Sequence, residues 1–128
     1  MEKVLVDTDT VVDFLRGYNL RLKDFFTRVF NKEIIGLISL ISIVELYSGA
    51  DTKNKKRLEV LEKLLSFLEP VAFDLESAKL AGQWASEYQL GLPDSLIAAT
   101  STAEKVSLLT FNQKHFQKIK EIKFYEIK

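Results

Sequence analysis

Two aspartates, Asp7 and Asp9, stand two residues apart directly after a short apolar run in "VLVDTDTVVDFLRG". A carboxylate at the end of a buried strand can attack or protonate a substrate itself, or it can hold a hard cation on its oxygens. Two further acids are isolated in a similar way: between Glu33 and Asp51 the one charged residue is Glu45, and between Glu87 and Glu104 it is Asp94. An ionised carboxylate in apolar surroundings is costly unless it is paired, hydrogen-bonded or metal-bound. Each acid has an ordinary use when read singly. Asp7 could cap a helix, Glu45 could pair with a lysine, and Asp94, just after Pro93, suits the first turn of a helix, where the dipole favours an acid. One arrangement accounts for all three together: carboxylates that converge on a divalent cation such as Mg²⁺, which takes oxygen ligands and serves phosphoryl chemistry. Thr110 and Asn112 lie at the end of "VSLLTF" and just beyond it. The Asn112 amide could bind a metal-held water or the phosphate side of a substrate, and it suits a turn or an N-cap equally well. His115 reads as a helix-surface residue.

Composition narrows the chemistry. With no cysteine and one histidine in 128 residues, disulfides, Cys-based zinc sites and a His-centred triad are excluded, so any metal must sit on oxygen. The length suits one domain, residues 1–128. No apolar run approaches a membrane span, and "MEKVLV" does not read as a signal peptide, so a cytoplasmic protein is expected. The formal net charge of zero conceals clustering. Residues 16–32 carry five basic side chains against Asp24, residues 53–57 carry four, and residues 64–104 hold six acids and Lys79 alone. The basic stretches could steer a polyanion or could be solvated helix faces.

The elements that must position these acids alternate. Lys3–Val6 reads as a buried strand and a helix follows from about Thr8, with Thr10 and Asp13 spaced like a capping box. Leu20–Phe30 is an amphipathic helix, "EIIGLIS" a second strand, and "SIVELYSGA" a short helix closed by Gly49. Lys53–Leu68 has a helical apolar period that Pro70 stops, and "VAF" is a third strand. Asp74 caps a helix over Leu75–Gln89, Pro93 starts the next, "VSLLTF" is a fourth strand, and a short helix at Lys114–Ile119 precedes a terminal strand, "KFYEI". Strands alternating with helices predict an α/β fold: a three-layer α/β/α sandwich with a mostly parallel central sheet. Ligands of such sheets bind beyond the carboxyl ends of the strands.

Four blocks, "LVDTDTVVDFLRG", "SIVELYSGA", "LPDSLIAAT" and "LLTFNQKHF", taken in this order over essentially the whole chain, resemble the PIN-domain ribonucleases, and in particular VapC-type toxins of toxin–antitoxin pairs. The resemblance implies that Asp7, Glu45 and Asp94 are catalytic metal ligands, with Thr8, Asp9, Thr110 and Asn112 at the rim or behind them. It implies RNA phosphodiester hydrolysis by metal-activated water, Mg²⁺ as the cofactor with Mn²⁺ able to substitute, a VapB-type antitoxin as partner, and a homodimer formed through helices. The apolar positions of "FFTRVF" and of Lys53–Leu68 are candidate dimer surfaces, although core packing accounts for such stripes too. Many members carry another acid in the fourth block, where this chain has Asn112, so a single well-held cation is expected.

The DxD spacing also resembles the opening of haloacid-dehalogenase-type phosphatases. Those need a larger core, a Lys or Arg near a later strand end and a second acidic pair such as GDxxxD or DD; no such pair follows here, and they leave Glu45 unexplained. A PIN-fold binding module without cleavage is the other alternative. Asn112 favours it, and the set Asp7, Glu45 and Asp94 speaks against it.

Overall fold

The computed structural model describes residues 1–127, apart from the side chains of residues 50 and 51. A four-stranded parallel sheet, ordered β3-β2-β1-β4, forms the middle layer: β1 (Lys3–Val6), β2 (Ile35–Ser39), β3 (Glu69–Val71) and β4 (Ser107–Leu109). The two strands at its centre are almost wholly apolar, which is what a strand covered on both faces requires. Alternation along β1 divides the core between the two faces. Val4 and Val6 point to one face with helices α1 (Thr8–Arg16), α2 (Arg21–Phe30), α3 (Leu40–Ser48) and α4 (Lys55–Leu65), whereas Leu5 points to the other with α5 (Leu75–Tyr88), α6 (Leu92–Glu104) and Phe116 of α7 (Gln113–Phe116). The three-layer α/β/α expectation holds. Among the described residues, no helix is long and apolar enough to cross a membrane.

The strand order creates the place where a site can form. From β1 the chain moves outward through β2 to β3 on one side, then returns across the sheet to put β4 on the opposite side of β1. The order reverses between β1 and β4, and a crevice opens beyond the carboxyl ends of strands at such a switch point. Asp7 directly follows β1, and Thr110 directly follows β4.

Several boundaries differ from the sequence expectation. The cap of α1 is Asp7 and not a Thr10–Asp13 box: its side chain accepts from the Thr10 backbone N–H at 2.8 Å. Helix α3 begins at Leu40 with Ser39 as its cap, and α6 begins at Leu92 behind Gly91. Pro70 does not merely stop a helix. It lies inside β3, which shares Val71 with the expected "VAF" strand and leaves Ala72 and Phe73 beyond it, and an outermost strand tolerates a residue without an N–H on its open side. The "KFYEI" segment contributes one parallel bridge, Leu108 to Phe124, with Leu108 N–H donating to Lys123 and Tyr125 N–H donating to Leu108. The "FFTRVF" stripe is core: Phe25, Phe26 and Val29 are buried, and Phe26 stacks on Phe14 with centroids 4.2 Å apart. Leu61 and Leu64 of α4 are buried as well. Val60 and Phe67 of the same Lys53–Leu68 stretch stay exposed.

Candidate active site

Asp7 sits where the sheet hands over to α1. Its backbone N–H donates to Leu109 at 3.2 Å, continuing the β1–β4 pairing by one residue, and the residue is 5% exposed. Burial pushes its pKa above the ordinary 3.8, and the charge of Asp9 adds to the rise; hydrogen bonds from the Thr10 and Thr110 hydroxyls and the Thr10 backbone oppose it. No lysine or arginine is among the groups that set its protonation. The chain therefore buries an acid and supplies hydroxyls and amides to orient it, with no basic side chain to neutralise it.

Glu45 approaches from α3. The Thr8 hydroxyl lies 2.6 Å from Glu45 Oε1 and 2.8 Å from the hydroxyl of buried Ser42. Thr8 has one proton, and the carboxylate is the stronger acceptor, so Thr8 donates to Glu45 and Ser42 can donate to Thr8. A small recess of about 80 Å³ opens beside Thr8 and Glu45. On the β4 side, Asn112 Nδ2 donates to Asp9 Oδ2 at 3.0 Å, and the Asn112 backbone N–H donates to the Thr110 hydroxyl at 3.0 Å. Asp9 is thus tied to the loop after β4. Asp94, in the first turn of α6, is half-exposed and lies 3.3 Å from His115 Nδ1, an ion pair when the imidazole is protonated.

The structure bonds Glu45 to Thr8, the residue after Asp7 in the chain, ties Asp9 to Asn112, and places Asp94 against His115. Among the described residues, no three His, Asp or Glu side chains form a ready-made metal cluster. Carboxylates repel one another without a cation between them. The donor set fits a hard divalent cation in kind: all ligands are oxygen, and the most buried has no basic neighbour to offset its charge. Two contributors escaped the sequence reading. Ser42 falls three residues before Glu45 and Thr10 three after Asp7, spacings that were legible as one helical turn and one N-cap. The His115 contact with Asp94 joins residues twenty-one apart and had no local signal.

The family model described as PIN domain matches residues 4–122. The chain belongs to the PIN-domain family. This PIN domain is 32% identical over 125 residues to Ribonuclease VapC10 of Mycobacterium tuberculosis (strain CDC 1551 / Oshkosh), covering 94% of this chain and 90% of that one. Among solved structures it resembles a DNA-bound VapBC from Salmonella typhimurium, with a TM-score of 0.82 and 26% identity over 98% of both chains. A toxin–antitoxin complex from Klebsiella pneumoniae matches with a TM-score of 0.75 and 27% identity, over 97% of this PIN domain and 99% of the other chain.

Proposed function

We propose that this chain is a Mg²⁺-dependent endoribonuclease and the toxin half of a VapBC-type pair, with residues 1–128 forming one PIN-like domain. The observation that carries the reading is a buried carboxylate, Asp7, held without a basic partner at the switch point of a PIN-domain sheet. The ribonuclease name of the Mycobacterium tuberculosis relative supports RNA as the substrate.

In this reading Asp7, Glu45 and Asp94 hold the cation. Bound there, Mg²⁺ would supply hydroxide-like water near neutral pH and offset negative charge that builds on the phosphate. The chain's own work is positioning. Thr10 and Thr110 fix the rotamer of Asp7, and Thr8, backed by Ser42, aims Glu45. The Asn112–Asp9 bond holds the loop after β4 against the start of α1, so the two sides of the crevice keep their spacing. The basic stretches noted in the sequence meet in space: Arg16 of α1 and Lys56 and Arg57 of α4 line a groove of about 520 Å³, a surface suited to a phosphate backbone. A VapB-type antitoxin is the proposed partner, supported by the VapBC and toxin–antitoxin complexes among the structural relatives. A homodimer through helices is supported by α3, whose Leu40, Val44 and Tyr47 are exposed.

Purified protein free of antitoxin should cleave single-stranded RNA with Mg²⁺ or Mn²⁺ and stop when EDTA is added; absence of cleavage with either ion would overturn the reading. Calorimetric titration should show one tight site, because the fourth block offers Asn112 in place of another acid. Two tight sites would contradict that count. Thr8→Val, which keeps the shape and removes the hydroxyl, should lower cleavage about 10–100-fold at limiting Mg²⁺, the usual cost of losing a group that orients a ligand. The loss should shrink at saturating Mg²⁺, and an unchanged rate at limiting Mg²⁺ would show that Thr8 does not position Glu45.

A further inference from the structure

The crevice continues past Asn112 into a groove of about 610 Å³ that the carboxylates do not use. Its wall is the end of β4, the loop after it and the start of α7, from Leu109 to His115, and its far side is Arg21 together with residues 125–127. Phe111 stands in this wall between Thr110 and Asn112, two residues already tied to Asp7 and Asp9. It is a large apolar side chain left 39% exposed at the groove, whereas Phe25, Phe26 and Phe116 are buried. The guanidinium of Arg21 lies 5.9 Å from its ring centroid and is steadied by a hydrogen bond to the Ile127 carbonyl at 3.1 Å. Lys114 and His115 line the same groove, with Glu126 as the acid among them. An exposed aromatic ring backed by a guanidinium and flanked by further basic side chains is what a single-stranded nucleic acid requires: a face for a base to stack on and cations for the adjoining phosphates.

We propose that this groove binds an unpaired nucleotide of single-stranded RNA, with its base stacked on Phe111 and its neighbouring phosphate held by Arg21 and Lys114. The inference rests on the ribonuclease reading for its substrate class and adds the residues that select unpaired over paired RNA. Every base has a π-face, so Phe111 selects for strandedness and tolerates sequence. The placement next to Asn112 sets the stacked nucleotide beside the phosphodiester presented to Asp7.

Fluorescence anisotropy with a labelled eight-nucleotide single-stranded RNA, in EDTA so that nothing is cleaved, tests this on the full chain. Phe111→Ala should weaken binding about 5–100-fold, the range expected for losing one base–aromatic stack, and Phe111→Trp should restore it to within about twofold. Arg21→Ala should weaken binding and reduce its salt dependence. A duplex of the same sequence should bind more weakly than the single strand and be insensitive to Phe111→Ala. Unchanged binding by Phe111→Ala, or equal losses in the Ala and Trp variants, would overturn the assignment and leave the groove to a protein partner or to no ligand. The two readings fail separately. Binding that depends on Phe111 without any metal-dependent cleavage sinks the nuclease reading alone, and cleavage lost in Asp7→Asn without any Phe111 effect sinks the groove alone.

Discussion

Asp7→Asn should cut metal-dependent RNA cleavage by more than about a hundredfold while the protein stays folded. Losing a group that merely orients a ligand costs about 10–100-fold, and Asp7 is proposed as the most buried ligand itself. The substitution is mild for the fold, since Asn caps helices about as well as Asp and its amide oxygen can still accept from the Thr10 N–H. The same change should raise the melting temperature of the metal-free protein at pH 7. The sign follows from the direction of the Asp7 shift. Its folded pKa lies above 3.8, so the folded state holds that proton more tightly than the unfolded chain does, and ionising Asp7 removes stability as pH rises through this window. Asn escapes the penalty, and its advantage should fade as pH falls to 3.8 and below, where Asp7 becomes protonated in the folded and unfolded states alike. Adding Mg²⁺ should raise the melting temperature of the native chain and not of the variant. Thermal melts across pH 4–8, with and without Mg²⁺, read all of this. Full cleavage by Asp7→Asn would sink the site assignment, and an unchanged metal-free melting temperature at pH 7 would show that burial does not burden the carboxylate.

Phe26→Ala should be the most damaging single change to the fold. Phe26 is fully buried on the α1–α4 face, stacked on Phe14 and edge-on to Phe25 at 5.2 Å, so its removal leaves a void that rigid rings cannot fill. Such truncations cost about 3–5 kcal/mol, against a total of about 5–15 kcal/mol for a domain. The melting temperature should drop by about 10–20 °C, measured by calorimetry. A drop below about 5 °C would mean that α2 contributes little to holding the α1 side of the site.

How much was legible in the sequence depended on whether the signal was local. Val4–Val6 followed by Asp7, and the helical period of α2, announced themselves, because apolar runs and 3.6-residue spacing are properties of neighbours. Glu45 and Asp94 were conspicuous for the same reason: each was the one charge in a long uncharged stretch. Their positions beyond the sheet depended on strand order, and no short window carries that. The start of α3 was misplaced because "GLISLISIVEL" is apolar throughout and has no periodicity to mark where strand becomes helix. The third strand was displaced because Pro70 reads as a breaker wherever it stands, and only its position at the outside of the sheet makes it acceptable there. The family resemblance implies a supporting place for Asp9. Its partner, Asn112, is over a hundred residues away, and that contact exists only once β4 has crossed to lie beside β1.

The two margins of the sheet carry a consequence for how copies of this protein can meet. On one margin, β3 is three residues long and includes a proline; on the other, the backbone of Leu108 is engaged by residues 123–125. A bare strand is a template for a stranger's backbone, and short strands, prolines and covering segments are how folded proteins blunt that hazard. With both margins blunted, ribbon-like growth from copy to copy is discouraged from the start. Copies of the chain must meet through side chains and not by sharing strands.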